Sequence, residues 1–154
     1  MTKAELKDFL NAKVIQYNNP NFIESDPIQI PHQFSIKEDI EISGFLTATI
    51  AWGNRKSIIK NTYKLMGLLD HSPFDVVMNH EMQDVEKLEP FVHRTFNGLD
   101  CIQFIKSLQH IYKNHGGLES VFTSEKDSLQ ESISKFKNIF FEIDHLPRTE
   151  KHIS

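Results

Sequence analysis

SIKEDIEISGFLTATIAWGNRKSIIKNTYK, residues 35–64, predicts two helices joined by a short corner. Apolar residues recur at helical spacing in both halves of the stretch. Ser35 with Glu38 has the form of a capping box at the start of the first helix. Gly53 is suited to end that helix, and Asn54 is suited to cap the next one. The pattern therefore predicts a helix–corner–helix unit.

The second of these helices is strongly basic. Residues 42–69 contain no acidic side chain, although the chain has a formal net charge of −4. Lys56, Lys60 and Lys64 are spaced so that a helix carries them as one stripe. Arg55 and Lys56 lie at its start, where the helix dipole disfavours cations by ~0.3–1 kcal/mol. A bound phosphate would reverse this cost, which makes the segment typical of a polyanion-binding corner.

The corner itself holds the single tryptophan of the chain, Trp52, next to Asn54. An exposed Trp52 could act as a wedge or stacking surface for a base. Burial at a helix end is the commoner role of tryptophan, and the sequence favours that interpretation. The lysines have an alternative role too, as a solvated face paired with the acidic residues 70–89.

A second candidate group lies between two aromatic residues, in the run FVHRTFNG at 91–98. His93, Arg94 and Asn97 could hold a phosphate, or they could tie this segment to the core. A single arginine in a loop is weak evidence for a phosphate site, so the structural role is favoured. The candidate nucleic-acid-binding residues are therefore Trp52, Asn54, Arg55, Lys56, Lys60, His93, Arg94 and Asn97.

The whole chain shows helical patterning, with no strand-like run of useful length. Thr2 with Glu5 forms a capping box ahead of an apolar stripe, and a helix starting near Ile102 is ended by His115-Gly116-Gly117. Residues 20–34 carry three prolines and predict an ordered connector. The prediction is an all-α fold, a compact bundle of about six or seven helices in a single domain or part-domain over residues 1–154. The polar end, residues 145–154, is predicted to be a connector, a pattern that a natural C-terminus and a truncated chain share.

Composition excludes several classes of protein. The single cysteine, Cys101, excludes an internal disulfide and a multi-cysteine metal site within these residues, and it is expected to pack as a small hydrophobe. No apolar run approaches the ~18 residues of a transmembrane helix, so no membrane partner and a cytoplasmic location are expected. There is no P-loop, nucleophile elbow or dinucleotide fingerprint. The sequence predicts no cofactor, no catalytic residue and no metal.

The eight histidines are candidate metal ligands. Glu142 and His145 have the spacing used in helical di-iron sites, but no second copy of that motif is present. His110 and His115 are five residues apart, a poor fit to one face of a helix. A metal-dependent enzyme built on Glu142 and His145 is the third-ranked hypothesis.

Two runs carry a resemblance, NPNFIESDPIQIPHQFSIKEDIEISGFLTATIAWGNRKSIIKN and FVHRTFNG. They resemble the N-terminal half of a longer bacterial protein family of unknown function. The later part of that family is similar to helix–hairpin–helix DNA glycosylases. The resemblance implies that ATIAWGNR, residues 48–55, corresponds to the element that fills the gap left by a flipped base. The glutamine of that element is absent here, and Trp52 or Asn54 stands nearest.

The resemblance also implies that the phosphate-gripping hairpin and the catalytic lysine and aspartate lie beyond Ser154. The leading hypothesis is thus a DNA-binding N-terminal portion of a glycosylase-like protein, with double-stranded DNA as partner and no base excision by this chain alone. The alternative is a structural or protein-interaction helical domain without catalytic activity.

Overall fold

A computed structural model describes residues 1–123 and 128–153. These residues form eight α-helices, four 3-10 helices and one two-stranded antiparallel hairpin, so the all-α class is confirmed. Two of the eight α-helices, α5 and α7, have only five residues each. The α-helices are α1 Lys3–Tyr17, α2 Lys37–Thr49, α3 Arg55–Leu68, α4 Pro73–Asn79, α5 Met82–Glu86, α6 Gly98–Asn114, α7 Leu118–Phe122 and α8 Leu129–Phe140.

The first two helices differ in how they are capped and packed. Thr2 and Glu5 form the predicted capping box of α1. The apolar stripe of α1 faces solvent, since none of its residues is buried. The capping box predicted at Ser35 is wrong, because α2 begins after Ile36, which has no side-chain capping bond.

The proline-rich residues 20–34 form three 3-10 helices, Pro20–Ser25, Pro27–Gln29 and Pro31–Gln33, each with proline in its first turn. Proline suits that position, because its φ is preset and its missing N–H has no partner to lose there. The second and third of these helices pack against α2. This segment covers one side of the α2–α3 unit.

The core gathers around α2 and α6. Ile42 and Leu46 of α2, and Ile50 directly after it, are at most 2% exposed. They belong to one cluster with side chains of α3, α4, α6, α7 and α8. The aromatic centre stacks edge to face, with Phe104 of α6 lying 5.1 Å from Phe96 and 4.8 Å from Phe140 between ring centroids. Such pairs add about 0.5–1.5 kcal/mol each beyond the area that they bury.

The hairpin ahead of α6 consists of β1, Val92–His93, and β2, Phe96–Asn97. Asn97 ends β2 and caps α6, and Gly98 is the first residue of that helix. A Cβ on Gly98 would overlap the backbone carbonyl of Glu89. Glycine is therefore needed here for close backbone approach.

The end of the chain packs on the body of the protein. Thr149 is fully buried within the 3-10 helix Pro147–His152, and its hydroxyl donates to the buried Asp100 carboxylate at 2.8 Å. Ile153 is 7% exposed. Residues 145–154, predicted as a polar connector, are held against the body of the protein, because Arg148 and Thr149 both contact Asp100 in the first turn of α6.

Within the described ranges, no helix is both long enough and apolar enough to cross a lipid bilayer.

Candidate nucleic-acid interface

The corner between α2 and α3 lies against the turn of the β1–β2 hairpin. The guanidinium carbon of Arg94 lies 4.8 Å from the centroid of the Trp52 ring. Trp52 is 39% exposed, so the expectation of a buried tryptophan is wrong. The buried side chains on either side of the corner are Ile50 and Ile58. An aromatic ring and a cation thus face solvent together.

Backbone conformation makes this contact possible. Gly53 has φ +110°, and a Cβ at that position would overlap the Arg94 guanidinium. Arg94 itself has φ +55° in the two-residue turn of the hairpin. The left-handed region is unfavourable for side chains with a Cβ, so the hairpin holds Arg94 in a strained conformation.

His93 connects the hairpin to the α2–α3 corner through its two ring nitrogens. Its side chain is buried, and its Nε2 lies 3.4 Å from the carbonyl oxygen of Trp52. Since a carbonyl only accepts, Nε2 carries the proton, and Nδ1 accepts from the side-chain amide of Asn61 at 2.8 Å. The two contacts use both ring nitrogens. His93 therefore positions the corner and is not available to a ligand.

The two asparagines of the candidate group act as helix caps. The side-chain oxygen of Asn54 accepts from the Ser57 amide at 3.2 Å and begins α3. Asn97 does the same for the Asp100 amide at 3.2 Å and begins α6. The prediction that Asn54 caps the second helix is confirmed. Both side-chain oxygens already have partners, which limits the part that either can play in direct recognition.

The basic stripe of α3 faces solvent as predicted. Lys56 and Lys60 are exposed, whereas Ile58, Thr62 and Leu65 on the opposite side are buried. The guanidinium of Arg55 lies 6.0 Å from the ring of Phe22, a long cation–π contact.

Pairing of these cations with the acidic segment 70–89 is not seen. In residues 1–123 and 128–153, no carboxylate lies within 4.0 Å of Arg55, Lys56, Lys60 or Arg94. Asp70 and Asp84 instead pair with Lys87, at 3.4 and 3.0 Å. The acidic segment satisfies part of its charge internally and leaves the basic stripe available.

A cavity of about 480 Å³ lies beside the corner, between α2 and the 3-10 helices. Its floor is made of small residues, Gly44, Ala48 and Ala51, and its polar lining comes from Asp26 and Arg55. The volume is in the range of small-molecule pockets.

Two supporting residues have no signal in the sequence. Asn61 holds His93, as described above, and Arg148 donates to the carbonyl of Thr95 at 3.1 Å. Both contacts join segments that are distant in the chain, so no local pattern marks them. They hold the hairpin turn that presents Arg94.

The pairing of Glu142 with His145, which their spacing in the sequence suggested, is not present. One ring nitrogen of His145 contacts the carbonyl of Ile143 at 2.8 Å, and the other contacts Glu150 at 3.1 Å, so neither is directed at Glu142. Cys101 is 2% exposed, as expected, and burial raises the pKa of its thiol well above the ordinary value. A buried thiol with a raised pKa is a poor nucleophile.

Comparison with known proteins gives a family and no function. The profile of a family described as "Protein of unknown function (DUF2400)" matches residues 26–154. Neither the curated proteins nor the solved structures gave a significant match to the chain.

Proposed function

This chain belongs to the DUF2400 family of proteins of unknown function, and we propose its function from the geometry of the α2–α3 corner. The proposed function is binding of nucleic acid, with duplex DNA as the ligand. Trp52, Arg94 and the start of α3 form the binding surface. The phosphate backbone contacts Arg55, Lys56 and Lys60, and the Trp52–Arg94 pair meets the bases or the sugar edge.

One observation carries the proposal. Two segments selected separately from the sequence, at residues 52–60 and 93–97, meet on one surface, with the Arg94 guanidinium stacked over an exposed Trp52. An exposed tryptophan next to an arginine offers a surface on which single bases and nucleotide edges can stack. The neighbouring cations have no carboxylate partner among the described residues.

Charge explains why binding would be local. With a net charge of −4, the protein as a whole repels a polyanion, so contact must be confined to a basic surface. Residues 42–69 supply such a surface, because they lack any acidic side chain. Phosphate near the start of α3 would also meet the free amides and the positive end of its dipole.

The finer part of the proposal is a place in a base-excision protein. The resemblance to helix–hairpin–helix glycosylases supports it, because it implies that residues 48–55, which include Trp52, correspond to the element that fills the gap left by a flipped base. The catalytic lysine and aspartate of those enzymes have no counterpart in this sequence. We therefore assign binding, and no glycosidic cleavage, to these residues.

Fluorescence-anisotropy titration of the full chain with labelled duplex and abasic-site DNA tests the proposal. Affinity should fall with salt, with a slope of log K on log[salt] near −0.9 per phosphate contact. Lys56→Ala/Lys60→Ala should make that slope less negative by roughly 1.8. Arg94→Gly should weaken binding without unfolding the hairpin, since glycine accepts the left-handed φ.

Lys3→Ala/Lys7→Ala provides the matched control. It removes the same charge from an exposed pair on α1, also four residues apart. Equal weakening by the two double variants would show general charge attraction and would overturn the proposed surface. Absence of binding at low salt by a folded sample would overturn the DNA role altogether.

The second candidate function is protein interaction, and one observation favours it. The apolar stripe of α1 is exposed, with Phe9, Leu10 and Val14 each more than half accessible. Contiguous exposed apolar patches on a protein surface often mark sites of protein–protein interaction. A folded sample without salt-dependent DNA affinity would favour this function.

A further inference from the structure

Three side chains with metal-ligating atoms meet at the ends of α6 and α8, away from the α2–α3 corner. His110 lies near the C-terminal end of α6, His115 is the residue that ends this helix, and Glu142 follows α8. His110 and His115 do not share one helical face, in agreement with their spacing, yet their side chains converge. His115 has left the helix, and its ring turns back toward His110, with ring centroids 5.0 Å apart.

The three atoms form one small triangle. Glu142 Oε2 lies 2.8 Å from His110 Nε2 and 3.2 Å from His115 Nε2, and the two nitrogens are 3.3 Å apart. Atoms bound about 2.0–2.2 Å from zinc are roughly 2.9 Å apart at right angles and roughly 3.4 Å apart at tetrahedral angles. An ion about 2.1 Å from all three atoms would sit roughly 1 Å out of their plane.

Protons satisfy this triangle only in part. In metal-free protein both Nε2–H groups can donate to Glu142 Oε2, and the 3.3 Å contact between the two nitrogens is then a contact between two donors. A cation in front of the three atoms would instead accept electron pairs from all of them. The geometry points to an ion.

We propose that His110, His115 and Glu142 bind a divalent transition-metal ion, with zinc as the best fit. Two imidazoles and one carboxylate are a ligand set for zinc and for other first-row ions of similar size. In the part of the chain that the structure describes, the sole cysteine is buried within α6, so the soft thiolate ligands that favour copper(I) are not offered. This proposal does not depend on nucleic-acid binding.

An outer contact orients the first histidine. The side-chain amide of Asn114 lies 3.0 Å from Nδ1 of His110. In the metal-bound form Nδ1 carries the proton, so the amide would turn its oxygen toward it. Such partners fix the tautomer and the ring orientation of ligating histidines.

The site is open on one side. The side chains of His110, His115 and Glu142 are 21, 28 and 47% exposed. A groove of about 710 Å³ next to His115 and Glu142 is lined by α8 residues that include Ser134, Lys135 and Asn138. Three protein ligands with open positions are the pattern of catalytic zinc, whereas structural zinc is enclosed by four. Lys135 would favour an anionic group on any ligand that enters this groove.

Titration of the untagged full chain with Zn²⁺ by calorimetry, and with Co²⁺ by visible absorption, tests the site. We expect one equivalent bound with micromolar affinity or better, and ligand-field bands with Co²⁺. His110→Ala and Glu142→Gln should each weaken binding at least ~10-fold. Glu142→Gln is the sharper variant, because glutamine still accepts both hydrogen bonds and removes only the negative charge.

His145→Ala is the matched control. His145 also contacts a carboxylate, Glu150 at 3.1 Å, with a similar exposure of 18%, but among the described residues it belongs to no group of three metal-ligating side chains. Unchanged affinity in His110→Ala and Glu142→Gln, or equal loss in His145→Ala, would overturn the proposal. So would the absence of binding by wild-type protein at equimolar Zn²⁺.

A measurement on wild-type protein covers the case in which a variant fails to fold. Co²⁺ at substoichiometric amounts should perturb the backbone NMR signals of residues 110, 115 and 142 first. Signals perturbed first around other histidines, such as His145, would place the ion elsewhere and overturn the assignment.

Discussion

The guanidinium of Arg94 lies 4.8 Å over the ring of Trp52, joining the hairpin turn to the start of α3. Trp52 is the single tryptophan, so its emission reports this contact directly. Arg94→Ala should raise the acrylamide quenching constant and move the emission to longer wavelength. Stability should fall by no more than about 1 kcal/mol, the worth of an exposed cation–π contact. Arg55→Ala, which removes a cation near Phe22, should leave the quenching unchanged; equal quenching in Arg94→Ala and wild type would contradict the contact.

The φ of +55° at Arg94 predicts a difference between two variants at the same position. Arg94→Gly should be more stable than Arg94→Ala by about 1 kcal/mol, since only glycine adopts the left-handed region at little cost. Urea denaturation of the two variants measures the difference. An alanine variant as stable as the glycine variant would show that the hairpin relaxes.

Gly98 lies against the carbonyl of Glu89, where a Cβ has no room. Gly98→Ala should therefore destabilise the protein by about 1–3 kcal/mol, as overpacking does, although alanine is the better helix former. Chemical denaturation provides the measurement. Gly67→Ala in α3 is the control, because the nearest atom to its Cβ is at 3.9 Å, and it should be neutral or stabilising.

Asp100 is fully buried and accepts from the Thr149 hydroxyl at 2.8 Å, the Asn97 amide at 3.0 Å and Arg148 at 3.2 Å. Asp100→Ala should cost about 3 kcal/mol, because several donors lose one buried acceptor. It should also release residues 147–153 to proteolysis. Arg148→Ala should cost less, about 1 kcal/mol, since that side chain is 41% exposed. Equal losses would mean that Asp100 contributes only through its ion pair.

Glu142 gives a prediction in pH. The hydrogen bond from His110, and then the nearby His115, lower the pKa of Glu142 below its ordinary value of 4.5. The folded state therefore binds fewer protons than the unfolded state near this pH, so the stabilising contribution is present above pH 4.5 and is lost as pH falls through the folded pKa. In metal-free protein, His110→Ala should raise the pKa of Glu142, as measured by carboxyl NMR titration. His145→Ala should not move it, and an unshifted pKa in His110→Ala would contradict the contact.

Much of the helical framework was predictable, because it rests on local interactions. The capping box at Thr2, the cap at Asn54 and the end of α6 at His115 follow from side chains within four residues of the helix ends. The corner was also found, together with the basic face of α3. Burial of Trp52 was the wrong expectation, since the composition of a corner does not tell which neighbour fills the core.

The sequence by itself determined the helix class, the capped ends and the side of α3 that is buried, because helical periodicity and capping act over a few residues. Only the tertiary structure decided that Arg94 stacks on Trp52, that Asp100 holds the last 3-10 helix, and that His110 and His115 converge on Glu142. Each of these contacts joins side chains from segments that packing brings together. The separation of these residues in the sequence does not predict the distance between their side chains in the structure.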